Sequence, residues 1–364
     1  MKKSILIFLL LFTYGFLSGC VGSEENRFSA EQQSALSAKV DSLMEAEFPS
    51  DGPGAAIAVI SQGIIIHKRG YGLADIDRKI PFTTGTSSYL GSVSKQFTAM
   101  GIMMLQEQEK LQYDDTIQKY FPDTPEEWGT ITVWNLLTHT SGLIDAFRIT
   151  SGDDVINADV FTKLVERKTL EFEPGEKYSY SNSGYIMLAL IIEKVAGQPF
   201  HLFMKEQIFD PLGMNGSLVY DRSTPEFPNR ARGYDRIEGA YELLDYNIFT
   251  QGAGGFYSTV EDLVKWDQCL YTEKLVSFET LQEAYTPQVQ IDENSSYGFG
   301  WRLSDYKNMK QYAHSGSLRG FKTYISRIPE GEFTIIILTN GRWRNPGNLT
   351  SAILGFYFPE EPGD

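Results

Sequence analysis

The sequence predicts an α+β protein: an antiparallel sheet flanked by helices, formed from both chain ends, with an inserted, mostly helical lobe. Two observations predict this class. β-rich runs occur between residues 55 and 69 and again between 298 and 338, and helical patterns fill the residues between these two regions. A third observation is the composition, because a chain of 364 residues, 42% of them hydrophobic, can form a large core. We expect a ligand site in the cleft between the lobes.

The N-terminal elements are predicted to be a helix, a hairpin and a second, buried helix. Apolar residues recur with helical spacing over 29–47. The β-rich runs 55–60 and 64–69 are joined by Ser61-Gln62-Gly63, which indicates a hairpin. Residues 94–110 are apolar around most of a helical circumference, which predicts a helix at the centre of the protein.

The middle and the end of the chain differ in their patterns. Helical patterns occur at 133–138, 160–165, 185–196 and 200–208. Strand patterns return at 298–303, 311–313, 321–328 and 333–338, followed by a short helical pattern at 348–354. The α/β lobe is therefore expected over about 29–90 and 255–364, and the helical lobe over about 91–254.

The N-terminus predicts export. Lys2-Lys3 precedes an apolar stretch over 4–16, as in a secretory signal. The following Leu17-Ser18-Gly19-Cys20 resembles the lipobox of bacterial lipoproteins. This resemblance implies a signal peptide over 1–19, a lipid on Cys20 and a polar tether over 20–28. We therefore expect a periplasmic or cell-surface protein that touches the membrane only through its lipid.

Charge and ligand spacing exclude several classes of function. With 32 Lys and Arg against 47 Asp and Glu, the formal charge is −15, which excludes nucleic-acid binding through phosphate neutralisation. None of the four histidines has zinc-like spacing, so we expect no metal and no cofactor. The glycines at 252–255 precede a helix whose first turn carries Glu261 and Asp262, and these acids would repel phosphate.

Two S-x-x-K sequences occur, Ser92-x-x-Lys95 and Ser304-x-x-Lys307. The first follows Gly91 and opens the predicted buried helix, where residues three apart share a face and the dipole stabilises negative charge near Ser92. Burial would also lower the pKa of Lys95 towards a proton-accepting range. The second falls in a polar connection between strand patterns, so we expect it at the surface and without a catalytic role.

Two further segments carry candidate groups. Tyr180-x-Asn182 lies on a loop at a helix start, where a tyrosine beside an ammonium can act as a base and an amide can grip a substrate amide. His314-x-Gly316 lies between strand patterns, and the glycine would let a ligand approach the strand edge. With Ser92, the candidates therefore come from three separate elements.

In this order and at these separations, the three motifs resemble those of class C β-lactamases and related penicillin-recognising serine hydrolases. The resemblance covers about 35–360 and implies a β-lactamase/transpeptidase-like fold, with 29–364 as one catalytic domain. It also implies acyl transfer, in which Ser92 attacks a carbonyl, Lys95 and Tyr180 share the proton transfer, and water releases the acyl group.

The resemblance further implies an oxyanion hole and substrate contacts. Backbone N–H groups of Ser92 and Ser317 would bind the oxyanion, and Asn182 would orient the substrate amide. Penicillin-binding relatives usually carry a lysine at the position of His314, and a histidine of ordinary pKa is mostly neutral at pH 7. Binding of an anionic substrate would then depend on the nearby arginines, Arg342 or Arg344.

The favoured hypothesis is a serine hydrolase that acts on small esters, amides or D-amino-acid peptides, because His-x-Gly resembles the D-aminopeptidase and esterase branches. A β-lactamase or D-Ala-D-Ala carboxypeptidase is one alternative, and a non-enzymatic lipoprotein that binds ligands in the same cleft is another. If His314 lines the cleft, we expect a limb of the pH–rate profile near pH 6–7 that His314→Lys removes. The sequence leaves the oligomeric state open.

Overall fold

The computed structural model describes residues 27–150, 154–225, 227, 229–245 and 249–359. The predicted signal peptide, Cys20 and most of the predicted tether lie outside these residues. Arg27 and Phe28, the last two residues of that tether, pack on the folded body: the ring of Phe28 meets that of Tyr357 edge to face, with centroids 5.4 Å apart.

Except for the short α7, the helices contain residues that are buried in the protein core. In chain order they are α1 Ala30–Glu47, α2 Lys95–Glu107, α3 Val133–Leu137, α4 Asn157–Arg167, α5 Asn182–Ala196, α6 Phe200–Met204, α7 Asp210–Leu212, α8 Val260–Cys269, α9 Phe278–Ala284 and α10 Pro346–Tyr357. Among the described residues no single helix is long and apolar enough to cross a membrane, although α5 and the segment Phe200–Leu212 pass that test together as a pair bent by 80°.

In the part of the chain that the structure describes, the strands form one large sheet and three small ones. In chain order they are β1 Ala55–Ser61, β2 Ile64–Tyr71, β3 Leu73–Asp75, β4 Ile80–Pro81, β5 Ser88–Tyr89, β6 Leu218–Val219, β7 Tyr234–Ile237, β8 Ala240–Leu243, β9 Phe256–Ser258, β10 Val289–Asp292, β11 Ser295–Tyr297, β12 Arg302–Tyr306, β13 Met309–Leu318, β14 Phe321–Ile328 and β15 Phe333–Thr339. The large sheet has eight antiparallel strands in the order β10-β11-β12-β13-β14-β15-β1-β2.

The large sheet joins the two ends of the chain, which confirms the predicted α+β class. Ala55 of β1 lies opposite Thr339 of β15. Alternate residues of β1 face opposite sides of the sheet, as strand geometry requires. Ile57 packs with α1 and α10 in one apolar cluster, whereas Ala58 belongs to the larger cluster that includes α2, α5 and α8. The sheet is thus covered by helices on both faces.

The prediction of a strand over 298–303 is wrong in position, because the strand in this region, β12, begins at Arg302. Gly298 packs so closely that a Cβ there would lie 2.0 Å from the carbonyl oxygen of Ala284, and Gly300 has φ +79°, so the chain turns before β12 begins. Ser304 therefore lies on β12 and not in a connection, while Lys307 bonds to the Phe358 carbonyl at 2.8 Å. The second S-x-x-K does not form a pair of interacting side chains.

Candidate active site

Ser92 lies in a 3-10 turn, Gly91–Ser94, that leads into α2, rather than in the first turn of the α-helix as the sequence suggested. Gly91 has φ +55°, and a Cβ on it would lie 2.6 Å from the backbone nitrogen of Ser317. The turn therefore packs directly on β13. This contact brings the backbone of Ser317 beside the serine, as the predicted oxyanion hole requires.

Lys95 is fully buried, and its Nζ has three oxygen neighbours. It contacts Ser92 Oγ at 3.2 Å, Asn182 Oδ1 at 2.9 Å and the backbone carbonyl of Ala253 at 2.9 Å. Burial lowers the pKa of Lys95 to about 7, and the negative charge of Asp145 opposes this shift. A large fraction of the lysine is therefore neutral at pH 7.

The three neighbours determine where the lone pair of neutral Lys95 points. An amide oxygen only accepts hydrogen bonds, so the two protons of the amine go to Asn182 Oδ1 and to the Ala253 carbonyl. The lone pair then faces the hydroxyl of Ser92, which carries a proton. Lys95 is thus placed to accept the proton of Ser92.

Tyr180 contacts the same serine from the other side. Its hydroxyl hydrogen-bonds with Ser92, and its ring centroid lies 4.8 Å from Lys95 Nζ. Although 37% of the residue surface is exposed, burial of the phenol end raises the pKa of Tyr180, and the bond to Ser92 only partly opposes this. At neutral pH Tyr180 is therefore a neutral phenol, and the phenolate base envisaged from the sequence is disfavoured.

His139 supports the loop that carries Tyr180. The two rings lie 4.3 Å apart between centroids, and His139 Nδ1 accepts the backbone N–H of Ser181 at 3.1 Å. Burial lowers the pKa of His139 well below its ordinary value, so the ring is neutral. Its side chain thus fixes the position of Tyr180 by packing.

His314 is buried and both of its ring nitrogens are engaged. Nδ1 lies 2.7 Å from the carbonyl oxygen of Ser315, so it donates, and Nε2 then accepts from the hydroxyl of Tyr297 at 3.0 Å. Burial and the charge of Lys95 lower the pKa of His314 to about 3. It therefore supplies no cation at pH 7, and a rate limb near pH 6–7 cannot belong to it.

Gly316 has a different role from the one predicted. A Cβ at this position would lie 1.9 Å from the Leu90 carbonyl oxygen and 2.1 Å from Thr323 Oγ1. The space beside the glycine is thus filled by the chain that leads into the serine turn, not left open for a ligand.

A cavity of about 520 Å³ opens beside Ser92. Its lining is mainly aromatic and polar, and consists of Ser92, Tyr178, Tyr180, Tyr297, Arg302, Ala313, His314, Ser315, Ser317 and Tyr324. Arg302 brings a cation to this lining, with half of its side chain exposed and the Asp292 carboxylate 3.8 Å away. No sequence motif marks Arg302, because it is placed by the pairing of β12 with β13, where it lies opposite Ala313.

Arg342 and Arg344, the cations expected from the sequence, lie in a neighbouring cavity of about 490 Å³ that shares Ser315, Ser317 and Tyr324 with the first. Arg342 forms an exposed ion pair with Asp235 at 3.1 Å. Arg344 forms an ion pair with Glu47. Both guanidinium groups are thus paired within the protein, one cavity away from Ser92.

Asp145 is a second residue that the sequence analysis did not single out. Its Oδ2 accepts the backbone N–H of Asn182 at 2.7 Å and the side-chain Nδ2 of the same residue at 2.9 Å. Its Oδ1 accepts the N–H of Phe147 at 2.9 Å. The amide of Asn182, expected to face a substrate, therefore contacts Lys95 at one end and Asp145 at the other.

Within the described part of the chain, no group of three or more His, Cys, Asp or Glu residues could hold a metal ion.

A sequence profile of the Beta-lactamase family matches residues 37–354. The chain belongs to the Beta-lactamase family. It is 34% identical over 299 residues to penicillin-binding protein 4* of Bacillus subtilis, covering 76% of this chain and 66% of that protein. It is also 26% identical over 322 residues to a D-aminopeptidase of Gluconobacter oxydans, covering 86% of this chain and 59% of that protein. The chain thus spans less than two thirds of the length of either relative.

Solved structures of Beta-lactamase family relatives share the fold. The octameric penicillin-binding protein homologue from Pyrococcus abyssi superposes with a TM-score of 0.80 at 28% identity, over 89% of this chain and 78% of that one. The D-amino acid amidase from Ochrobactrum anthropi is similar in fold, with a TM-score of 0.76 at 23% identity, over 90% and 99%. The predicted β-lactamase/transpeptidase-like fold is confirmed.

Proposed function

We propose that this chain is a serine hydrolase that acts through an acyl-enzyme on a small ester, amide or D-amino-acid peptide bond. The observation that carries the proposal is the convergence of Lys95 Nζ and the Tyr180 hydroxyl on Ser92 Oγ. Acyl transfer by serine requires a base within hydrogen-bond reach whose pKa lies near the working pH, and a buried lysine with a pKa of about 7 meets this requirement.

The steps follow from the neighbours of Ser92. Its Oγ bonds to the carbonyl carbon while its proton moves to neutral Lys95, and the oxyanion is held by the backbone N–H groups of Ser92 and Ser317, each worth about 2.7–4 kcal/mol. The bond to the leaving group then breaks, and that group takes up the proton, with the neutral phenol of Tyr180 beside it. In the second half, water gives a proton to Lys95, attacks the acyl-enzyme and releases Ser92 with its proton restored.

A fluorophosphonate probe followed by mass spectrometry tests this function. We expect an adduct on Ser92 in the wild type, none in Ser92→Ala, and normal labelling in the matched control Ser304→Ala, with similar melting temperatures throughout. Folded wild-type protein that forms no adduct on Ser92 would rule out the hydrolase and leave the ligand-binding lipoprotein. Labelling lost in Ser304→Ala would show that the wrong serine was chosen.

One observation favours a second candidate, a D-Ala-D-Ala carboxypeptidase or β-lactamase. These substrates carry a carboxylate, and the half-exposed guanidinium of Arg302 lines the cavity beside Ser92. A planar guanidinium can bind a carboxylate through two parallel hydrogen bonds, and a charged hydrogen bond contributes about 1.5–3 kcal/mol.

The contribution of Arg302 can be measured with matched peptides. We expect a peptide ending in a free D-alanine carboxylate to be cleaved at least tenfold faster, in kcat/KM, than its carboxamide, and Arg302→Gln to remove this preference. Loss of the preference in Arg342→Gln instead would place the anion in the neighbouring cavity. Equal cleavage of acid and amide by the wild type would reject the carboxypeptidase. Comparing nitrocefin with a p-nitrophenyl ester then separates a β-lactamase from an esterase.

We also propose that the protein is exported and anchored outside the cytoplasmic membrane by a lipid on Cys20, as Leu17-Ser18-Gly19-Cys20 suggests. We expect the full-length protein to incorporate labelled palmitate and to enter the detergent phase on partitioning, and Cys20→Ser to do neither. Palmitate incorporation that persists in Cys20→Ser would contradict this assignment.

A further inference from the structure

The side-chain amide of Asn182 can be placed in two orientations of almost the same shape, but with opposite hydrogen-bonding character. Its Oδ1 faces Lys95 Nζ at 2.9 Å, and its Nδ2 faces Asp145 Oδ2 at 2.9 Å. An ionised carboxylate only accepts hydrogen bonds, so the NH2 end of the amide is the one that can face Asp145. The carboxylate is itself held in place by the backbone N–H groups of Asn182 and Phe147.

We propose that Asp145 is a positioning residue for catalysis: it fixes the orientation of the Asn182 amide, and the amide in turn keeps the lone pair of Lys95 on Ser92. The inference rests on the proposed hydrolase function and assigns a role that none of the three sequence motifs contains.

The reverse orientation of the amide would disable the base without moving it. If Asn182 Nδ2 faced Lys95, the neutral amine would lose one of its two obligatory acceptors and would gain a donor. Its lone pair could then accept from Asn182, and one of its protons would turn towards Ser92. The serine would lose its proton acceptor even though Lys95 remained neutral and in the same place.

The charge of Asp145 also acts on Lys95, because it raises the pKa of the lysine against the effect of burial. Among the described residues, the other titratable groups that face Lys95 are uncharged near pH 7, because the tyrosines have raised and the histidines have lowered pKa values. These groups are Tyr180, Tyr185, His139 and His314. Removing the carboxylate charge is therefore expected to lower the pKa of Lys95, which shifts the acidic limb of the rate profile to lower pH.

Two substitutions separate orientation from charge. Asp145→Asn removes the charge but keeps a side-chain oxygen that can still accept from Asn182. Asp145→Ala removes both the charge and the acceptor. The matched control is Glu171→Gln. This substitution removes a carboxylate that forms an ion pair with the exposed Arg148 at 2.6 Å.

The test measures the rate constant of fluorophosphonate labelling at Ser92 from pH 5 to 9, together with the melting temperature. In the wild type we expect the acidic limb of the pH–rate profile near pH 7, and in both Asp145 variants we expect this limb at lower pH. The labelling rate constant on the plateau should be at least tenfold lower in Asp145→Ala than in the wild type. Asp145→Asn should retain more of the plateau, and Glu171→Gln should follow the wild-type profile.

The outcomes distinguish this inference from the function on which it rests. Wild-type protein that does not label on Ser92 would overturn the hydrolase itself. A labelled wild type whose profile is shared by both Asp145 variants would overturn the positioning role alone. A lower melting temperature with an unchanged limb would show that Asp145 only stabilises its turn. If Asp145→Ala does not fold, the acidic limb of the Asp145→Asn profile decides: a limb at the wild-type pH would overturn the role of Asp145, and a limb at lower pH would support it.

Discussion

Burial of Lys95 links the chemistry of the site to the stability of the protein. The pKa of this residue falls from 10.5 to about 7 because its amine is removed from water. Between these two pH values the unfolded chain binds a proton that the folded protein does not. The free energy of unfolding therefore increases with pH across this window, and the charged amine destabilises the fold below it.

Lys95→Met should remove this pH dependence. We expect the free energy of unfolding of the wild type to rise from pH 7 to 10 relative to that of the variant, because only the wild type contains the depressed amine. Urea unfolding at several pH values in this range measures the difference. Parallel curves for the two proteins would contradict the lowered pKa of Lys95.

The residues that could be predicted from sequence are those whose roles depend on short spacings. Ser92 and Lys95 are three positions apart at the start of a helix, and Tyr180 lies just before another, so local geometry places them. Arg302 and Asp145 could not be found in this way. Each reaches the site through a contact with a distant segment, one by strand pairing and the other through the start of α5.

Among the elements, β13 is the one that holds the site together. β13 pairs with β12 only as far as Ala313, whereas its pairing with β14 continues to Leu318. The segment beyond Ala313 lies against the 3-10 turn that carries Ser92, and Thr323 on β14 donates to the Leu90 carbonyl at 2.7 Å. The turn that carries Ser92 is thus attached to the sheet by close backbone packing.

Gly316→Ala is expected to disturb this attachment. The new Cβ would lie 1.9 Å from the carbonyl oxygen of Leu90, so the backbone of the serine turn must move. We expect a loss of about 1–3 kcal/mol in the free energy of unfolding together with slower labelling of Ser92. The matched control is Gly355→Ala in α10, where a Cβ meets nothing within 4 Å and should stabilise the helix by about 0.5–1 kcal/mol. Unchanged labelling in Gly316→Ala would show that the turn tolerates displacement.

A buried ion pair connects α8 to the sheet. Arg327 Nε on β14 donates to Asp267 Oδ1 on α8 at 2.8 Å, and each side chain is only 1% exposed. Asp267→Ala leaves the guanidinium buried without its carboxylate, so we expect a loss of about 3–5 kcal/mol, measured by urea unfolding. The exposed pair of Asp305 with Lys310 provides the control, since Asp305→Ala should cost at most about 1 kcal/mol. Similar losses in both variants would contradict this ranking.

At the scale of the molecule, the ends of the chain were easier to predict than its middle. The hairpin of β1 and β2 and the strands β14 and β15 are each seven or eight residues long, so their patterns are visible in the sequence. The sheet of β5, β9 and β6 was missed, because its strands have only two or three residues and are defined by pairing between distant segments. The resemblance, and not periodicity, supplied the β-lactamase-like fold.

The pairing of β1 with β15 has a consequence for the order of assembly. Ala55 of β1 is synthesised well before its partner Thr339, because most of the described residues lie between them in the chain. Until then β1 exposes one row of unpaired backbone groups, to which another incomplete chain could bind. Closing so long a loop is slow compared with local helix formation. Nascent chains interrupted before β15 should therefore aggregate, and refolding from denaturant should be limited by this last pairing.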